Sequence, residues 1–207
     1  MCMQSDIAAL ILAAGASSRM GKPKQLLKLG EKYMLEQVIR LALSAEFTEI
    51  VAVVGCHSEQ IRRLIPIEDT RFRWTVNPDA LMGQSTSLQA GFRALGEGVE
   101  GVMVLLGDQP FISEKTIRHI FEEGSSILNE TQGSVVIQPS FRGRIGHPVF
   151  FVRPPHADIL CLQGDQGAKG ILGKLDGRIF VPVEDEGTVI DLDTPEDVKQ
   201  YDFKNEK

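Results

Sequence analysis

The chain has 207 residues, a formal net charge of −6 at neutral pH, and 43% hydrophobic and 24% charged residues. This composition supplies enough apolar side chains for a full core and excludes an intrinsically disordered chain. The acidic balance argues against a general nucleic-acid binder, because affinity for a phosphate backbone comes from Lys and Arg.

The lack of a recognisable targeting signal or membrane span, together with the cysteine usage, predicts a cytoplasmic protein that does not enter a membrane. No apolar stretch reaches the roughly 18 residues that a transmembrane helix needs. Residues 1–6 lack the basic start and apolar core of a secretory signal peptide. Cys2, Cys56 and Cys161 form no C-x-x-C pair, which argues against a disulfide framework and a structural zinc site. We interpret Cys56 and Cys161 as core thiols.

Apolar runs alternate with amphipathic segments in the first half of the chain. The run 7–13 is short and almost entirely apolar, which is typical of a strand buried on both faces. Strands that alternate with helices predict right-handed βαβ units, and therefore a doubly wound α/β fold with a mainly parallel sheet. We predict strands at 7–13, 49–54, 73–76 and 101–106, and helices at 32–45, 57–64, 85–95 and after the N-cap Ser113.

The second half of the chain is less regular. Thr194 is expected to cap a final helix, with Pro195 at its first position. Without a repeat or a low-complexity linker, residues 1–207 are expected to form one domain with a frayed tail at 202–207. We predict strands at 134–138, 178–183 and 188–193, a polar loop at 142–146 that precedes the run 147–151, and a short helix over 164–172.

A loop of small and basic residues follows the first predicted strand. Gly15 allows the backbone to approach a ligand closely, and Arg19 and Lys24 add positive charge. Backbone N–H donors and cations at the end of a buried strand indicate a phosphate site, although a tight turn would have similar composition. The P-loop and the dinucleotide fingerprint are both excluded by the glycine spacing, and Pro23 stands where a P-loop has its hydroxyl.

Polar residues follow other predicted strands. Asn77 and Asp108 stand at strand ends, and the carboxyl ends of parallel strands form the ligand-binding edge of such sheets. A carboxylate after so apolar a strand needs a partner, so Asp108 is a candidate magnesium ligand. The alternative is a turn residue that caps the loop before Pro110.

Asp191 and Asp193 lie two positions apart in a predicted strand, which places both side chains on one face. Two like charges in this arrangement repel each other unless a cation lies nearby. They are therefore further candidates for the metal site, and capping before the Thr194 helix is the alternative explanation.

The run Leu12 to Lys24, Leu-Ala-Ala-Gly-x-Ser-x-Arg-Met-Gly-x-Pro-Lys, resembles the signature loop of nucleotidyltransferases. It looks most like the MobA-like branch, which attaches a nucleotide to molybdopterin. Within that branch it is most similar to molybdenum cofactor cytidylyltransferases, including accessory proteins of xanthine dehydrogenase. Gly107-Asp108-Gln109-Pro110 and the segment 191–197 extend the resemblance toward the C-terminus.

The resemblance implies a Rossmann-like fold and a magnesium-dependent reaction. CMP would pass from CTP to the phosphate of molybdopterin or the molybdenum cofactor, and pyrophosphate would leave. The product would serve a molybdenum hydroxylase such as xanthine dehydrogenase. The alternatives are transfer of GMP from GTP, transfer to another acceptor such as a sugar phosphate, and a carrier or chaperone without catalytic activity.

The resemblance also assigns residues to each part of the site, with residues 1–110 as the nucleotide-binding half and 111–201 as the acceptor-binding half. The catalytic residues are Arg19, Lys24 and Asp108. The nucleotide-binding residues are Leu12, Ala13, Ala14, Gly15, Arg19, Lys24, Gly83 and Ser87. The acceptor-binding residues are Gly146, His147 and Asp165. The Mg²⁺ ligands are Asp108, Asp191 and Asp193, with Asp191 preferred over Asp193 as the second ligand.

Overall fold

The computed structural model describes residues 6–15, 23–194 and 197. Its strands are β1 (Ile7–Ala13), β2 (Lys28–Leu29), β3 (Lys32–Tyr33), β4 (Glu49–Val54), β5 (Phe72–Val76), β6 (Gly101–Leu106), β7 (Val135–Phe141), β8 (Arg144–Ile145), β9 (Val149–Val152) and β10 (Gly177–Pro182). Its α-helices are α1 (Met34–Leu43), α2 (Ser58–Leu64), α3 (Gln84–Ala94), α4 (Glu114–Glu130) and α5 (His156–Leu160). Short 3₁₀ helices cover Lys24–Leu26, Ala80–Met82, Ala168–Lys174 and Glu186–Val189.

One eight-stranded sheet has the order β10-β7-β9-β6-β1-β4-β5, with β8 paired to β7. The central strand β1 is parallel to β4 and β6, and β4 is parallel to β5. Strand β9 is antiparallel to both of its neighbours, β6 and β7. The predicted doubly wound fold with a mainly parallel sheet is confirmed. Because β7 and β6 both oppose β9, the carboxyl ends of β1, β4, β5, β6 and β7 share one edge.

Both faces of the sheet are covered, which explains why the central strands are apolar without alternation. In β1, Ile11 faces a core cluster that includes side chains from α1, α2 and α4. The adjacent Leu10 faces a second cluster that includes side chains from α3 and α5. Ser113 caps α4 as predicted, because its hydroxyl accepts a hydrogen bond from the Thr116 backbone N–H.

The predicted strand at 188–193 is wrong. Glu186–Val189 forms a 3₁₀ helix, and residues 190–193 have no regular structure. The Asp185 carboxylate accepts a hydrogen bond from the Gly187 N–H, and the Thr188 hydroxyl donates to the Asp185 carbonyl. These local hydrogen bonds compete with the sheet for the backbone.

Smaller corrections concern other elements. The predicted helix over 164–172 is instead the 3₁₀ helix Ala168–Lys174. Cys56 and Cys161 are exposed, so their interpretation as core thiols is wrong, since each follows the end of its element. The prediction of a final helix after Thr194 falls mostly on residues outside the described ranges. Thr194 and Asp197, which are described, exchange hydrogen bonds in a capping arrangement. Within the described ranges, no helix is long and apolar enough to cross a membrane.

Candidate functional site

The site lies where β1 and β6 end. The Gly107 N–H donates to the Leu12 carbonyl at 2.9 Å, which holds the loops after the two strands together. Ala13 and Ala14 are buried at the end of β1, Leu12 is half-buried, and Gly15 is exposed. The first loop and Asp108 therefore meet at the edge that the sequence predicts.

A lysine lies between two carboxylates at this edge. The Lys24 Nζ is 2.6 Å from the Asp108 Oδ2 and 2.9 Å from the Asp193 Oδ1. The side chains of Lys24 and Asp108 are 16% and 20% exposed, whereas that of Asp193 is 52% exposed. Three charges from distant parts of the chain thus converge on one point, with the ammonium compensating the two carboxylates.

The protonation state of Lys24 follows from this arrangement. Burial disfavours the ammonium form, but attraction to Asp108 and hydrogen bonds to Asp108 and Asp193 outweigh burial. The pKa of Lys24 is therefore raised above its ordinary 10.5, and the side chain is positively charged at neutral pH.

Gln25 fixes the position of Lys24, and the sequence analysis missed it. Its side chain is 3% exposed, and its Nε2 donates to the carbonyl oxygens of Ala13 at 2.7 Å and Gly15 at 3.0 Å. A buried amide that bridges a strand end to the following loop stabilises the loop without adding charge. The position of Gln25 directly after the predicted catalytic residue Lys24 is the sequence feature that could have indicated this role.

The two aspartates of the C-terminal segment have different partners. Asp191 accepts a hydrogen bond from the Gln109 Nε2 at 2.7 Å, whereas Asp193 pairs with Lys24. Leu192 is fully buried between them, and its N–H donates to the Asp108 carbonyl at 3.0 Å. The segment is not a strand, so Asp191 and Asp193 do not share a strand face as predicted. The geometry favours Asp193 over Asp191 as the neighbour of Asp108.

Asp108 and Asp193 have the chemistry of a magnesium site. Their oxygens converge on one cationic atom, and hard carboxylate oxygens are ligands that Mg²⁺ prefers. Among the described residues, no group of three or more His, Cys, Asp or Glu side chains could hold a metal alone. Two carboxylates completed by substrate phosphate oxygens are an ordinary arrangement for this ion.

Ser87, a predicted nucleotide-binding residue, is held by a buried asparagine. Asn77 is 3% exposed, and its Nδ2 donates to the Thr86 Oγ1 at 2.9 Å and the Ser87 Oγ at 3.1 Å. Helix α3 begins at Gln84 with Gly83 as its N-cap. The asparagine after β5 therefore ties the end of that strand to the first residues of α3.

Two glycines, Gly83 and Gly164, bring the start of α3 against the turn that carries Asp165. Gly83 has φ +117°, and a Cβ there would lie 2.4 Å from the Gly164 carbonyl group. The Gly164 carbonyl accepts a hydrogen bond from the Ser85 N–H at 3.1 Å. Gly83 and the turn that carries Asp165 are thus in direct backbone contact, although the sequence assigned them to different substrates.

Gly83→Ala is expected to displace this turn, because the added methyl meets backbone on a left-handed φ. We expect the melting temperature to fall, with a loss of about 1–3 kcal/mol in the free energy of unfolding. Thermal unfolding of Gly83→Ala beside Gly98→Ala measures this, since Gly98 also has a positive φ but has open space around it. Equal losses in both variants would show that backbone strain alone, rather than the contact with Gly164, is responsible.

The predicted acceptor-binding residues Gly146 and His147 pack against the segment that leads to Asp191. A Cβ at Gly146 would lie 2.2 Å from the Thr188 carbonyl oxygen, which also accepts a hydrogen bond from the His147 N–H at 2.9 Å. Burial lowers the pKa of His147, with Asp191 and Asp108 opposing that shift and Lys169 adding to it. His147 therefore lies within electrostatic range of two aspartates and of Lys169, a residue that the sequence analysis missed.

Arg19 lies outside the described residues. Several of the other predicted residues lie close to one another. Lys24, Asp108 and Asp193 are in contact, Asp191 adjoins them through Gln109, and Gly83 and Ser87 lie in and beside the first turn of α3.

Sequence and structure comparisons identify similar proteins. A family model described as the MobA-like NTP transferase domain matches residues 9–179. The purine catabolism protein PucB of Bacillus subtilis (strain 168) is 29% identical over 202 residues, covering 94% of this chain and 93% of PucB. The bifunctional protein GlmU of Buchnera aphidicola subsp. Schizaphis graminum is 32% identical over 145 residues. That match covers 69% of this chain but only 31% of GlmU.

Two solved structures resemble the chain over nearly its whole length. A homologue of Mycobacterium tuberculosis Rv0371c from Mycobacterium sp. strain JC1 has a TM-score of 0.82 and 26% identity, covering 98% of each chain. Rv0371c of Mycobacterium tuberculosis H37Rv in complex with manganese has a TM-score of 0.73 and 22% identity. The latter match covers 95% of this chain and 97% of Rv0371c, and it shows a shared fold.

Proposed function

The chain belongs to the MobA-like NTP transferase family, and from this premise we propose that it transfers CMP from CTP to molybdopterin or its molybdenum-loaded form. A phosphate oxygen of the acceptor attacks the α-phosphorus of CTP, and a new phosphoanhydride bond forms. The bond between the α- and β-phosphates breaks, and pyrophosphate leaves with the electron pair. The reaction needs alignment and charge neutralisation more than covalent catalysis.

One observation carries this proposal, namely the convergence of Asp108, Asp193 and Lys24 beside the loop that follows β1. Asp108 and Asp193 would hold Mg²⁺, which when bound neutralises phosphate charge and polarises the transferred phosphoryl group. Lys24 supplies a fixed positive charge for the phosphates. The exposed Gly15 leaves the loop backbone accessible to a phosphate oxygen.

The relatives are consistent with the metal and with the cellular role. The Rv0371c structure of similar fold is a complex with manganese, a divalent ion that favours oxygen ligands. PucB is named for purine catabolism, which agrees with delivery of the product to a molybdenum hydroxylase such as xanthine dehydrogenase. The similarity to GlmU keeps a different phosphate acceptor as the alternative.

A product assay tests the proposal. The protein is incubated with each nucleoside triphosphate, Mg²⁺ and molybdopterin, and the product is identified by mass. We expect a cytosine dinucleotide and stoichiometric pyrophosphate only with CTP. Pyrophosphate release with a sugar phosphate in place of molybdopterin would support the alternative acceptor. Binding of molybdopterin without any transfer would favour the carrier.

CTP is expected to be strongly preferred over GTP. Ala14 stands where the guanylyl branch that the loop resembles typically has glycine, and a methyl there leaves less room for a purine. Ser87, whose Oγ accepts a hydrogen bond from Asn77, would offer a hydroxyl to the edge of a pyrimidine. The measurement is kcat/KM for both nucleotides, and equal use or a GTP preference would contradict the prediction.

Ala14→Gly is expected to relax this preference without inverting it, because one methyl discriminates by only about 1–3 kcal/mol. Ala14 is 4% exposed and belongs to the second core cluster, so glycine also removes a buried methyl. The melting temperature of the variant is therefore measured alongside its kcat/KM values. A variant that keeps the full wild-type preference would show that Ala14 does not select the base.

A further inference from the structure

Gln109 is a buried amide directly after Asp108. Its side chain is 2% exposed, and its Nε2 donates to the Asp191 Oδ1 at 2.7 Å. Its Oε1 is also buried and has no hydrogen-bond partner in the described part of the chain. The opposite orientation of the amide would point the oxygen at a carboxylate, so the hydrogen bond to Asp191 fixes the orientation.

A buried carbonyl oxygen without a partner destabilises a fold, and an apolar side chain of similar shape would avoid this cost. Local choices that oppose stability concentrate at functional sites. The Nε2 of Gln109, which does have a hydrogen-bond partner, contacts Asp191, one of the candidate metal-site aspartates. Gln109 therefore has the properties of a residue retained for its effect on Asp191.

The segment after Asp191 is fixed at both of its ends. The Leu192 N–H donates to the Asp108 carbonyl, and its fully buried side chain packs with Leu27, Leu29 and Met34. Beyond Leu192, the Asp193 N–H donates to the Asp197 Oδ2 at 3.1 Å. With the backbone held in this way, Asp191 and Asp193 flank the buried Leu192, and Asp193 contacts the Lys24 ammonium whereas Asp191 contacts Gln109.

We propose that Gln109 is a positioning residue that holds Asp191 aside and thereby presents Asp193 to the cation position shared with Asp108. A neutral amide suits this task, because it binds the Asp191 carboxylate without adding a second positive charge. Without it, three carboxylates would compete for the single ammonium of Lys24. This inference rests on the proposed function, since the cation position is the one proposed for Mg²⁺.

Gln109→Met tests the proposal, because methionine keeps the length of the side chain and removes both polar atoms. In metal-free crystal structures, we expect the Lys24 Nζ to contact Asp193 in the wild type and to turn toward the released Asp191 in the variant. We also expect Mn²⁺ binding without nucleotide, followed by electron paramagnetic resonance, to weaken about tenfold, because Asp193 is then no longer presented to the cation position and the loss of an outer-shell positioning group costs about that much affinity. An unchanged contact between Lys24 and Asp193 in the variant would overturn the proposal.

Gln138→Met is the matched control. Gln138 lies on β7, is 8% exposed, and also has a buried Oε1 without a partner in the described residues. Both variants are expected to melt at or above the wild-type temperature, but only Gln109→Met should change Mn²⁺ affinity. A common loss of affinity in both variants would make the effect of Gln109 a general consequence of altered packing, against the proposal.

A double-mutant cycle separates positioning from other roles. If Gln109 acts through Asp191, then Gln109→Met should have no further effect on Mn²⁺ affinity in an Asp191→Ala background. Additive losses would show that Gln109 acts independently of Asp191. A wild-type protein that binds Mn²⁺ but transfers no CMP would refute the proposed function, and the crystal structures and affinities would still decide the role of Gln109.

Discussion

Asp108→Asn is expected to leave the protein folded and to lower kcat by on the order of 100-fold or more, as the loss of a key electrostatic group does. Asparagine keeps the shape of the side chain but removes the negative charge that pairs with the Lys24 ammonium at 2.6 Å. It also removes one of the two carboxylates that converge on the proposed Mg²⁺ position. Since the Asp108 carbonyl still accepts the Leu192 N–H, the C-terminal segment should keep its place.

The measurement is kcat over a range of Mg²⁺ concentrations, with circular dichroism to check folding. Asp158→Asn is the control, because Asp158, which lies on α5, forms an exposed ion pair with Lys174. A folded Asp108→Asn protein with near-normal turnover at low Mg²⁺ would exclude Asp108 as a metal ligand. Asp193→Asn is expected to lose more activity than Asp191→Asn, because Asp193 shares Lys24 with Asp108.

The central sheet was predictable because its signal is local. Each of β1, β4 and β6 is a short apolar run bounded by polar residues, and burial on both faces alone requires such a run. The end of each parallel strand then locates the site without further information. This reasoning correctly brought the loop after β1 and Asp108 to the same edge.

The C-terminal segment was not predictable in this way, because its conformation is decided by what it packs against. Val189, Ile190 and Leu192 have the apolar character of a strand, but Leu192 inserts between α1 and the β2–β3 hairpin. Local hydrogen bonds of Asp185 then turn the chain before it reaches the sheet. The distinct partners of Asp191 and Asp193 follow from this docking and have no signature in residue spacing.

Contacts between distant residues were equally beyond local reasoning. Gly83 and Gly164 meet because α3 and the turn before Ala168–Lys174 cover the same face of the sheet. The resemblance assigned a role to Gly83 and to Asp165 separately but gave no distance between them. The same holds for Lys24 and Asp193, which are 169 positions apart.

The charge of Lys24 determines whether removal of its side chain should change the catalytic rate or the binding of the nucleotide. The ammonium lies between two carboxylates, and its raised pKa shows that these contacts favour its charged form. When CTP is bound, the same charge is available to the phosphates, whose negative charge shifts toward the leaving group during transfer. A fixed cation at that position stabilises the transition state more than it stabilises the bound nucleotide.

Lys24→Ala is therefore expected to lower kcat by on the order of 100-fold, with a much smaller effect on the dissociation constant of CTP. Without the ammonium, Asp108 and Asp193 repel each other, so the melting temperature should fall in metal-free buffer and recover when Mg²⁺ is added. Single-turnover kinetics and CTP titration separate the two effects. Lys28→Ala, on an exposed lysine that lies over the Tyr33 ring, should change neither. An unchanged rate with weaker CTP binding would make Lys24 a docking residue for the nucleotide.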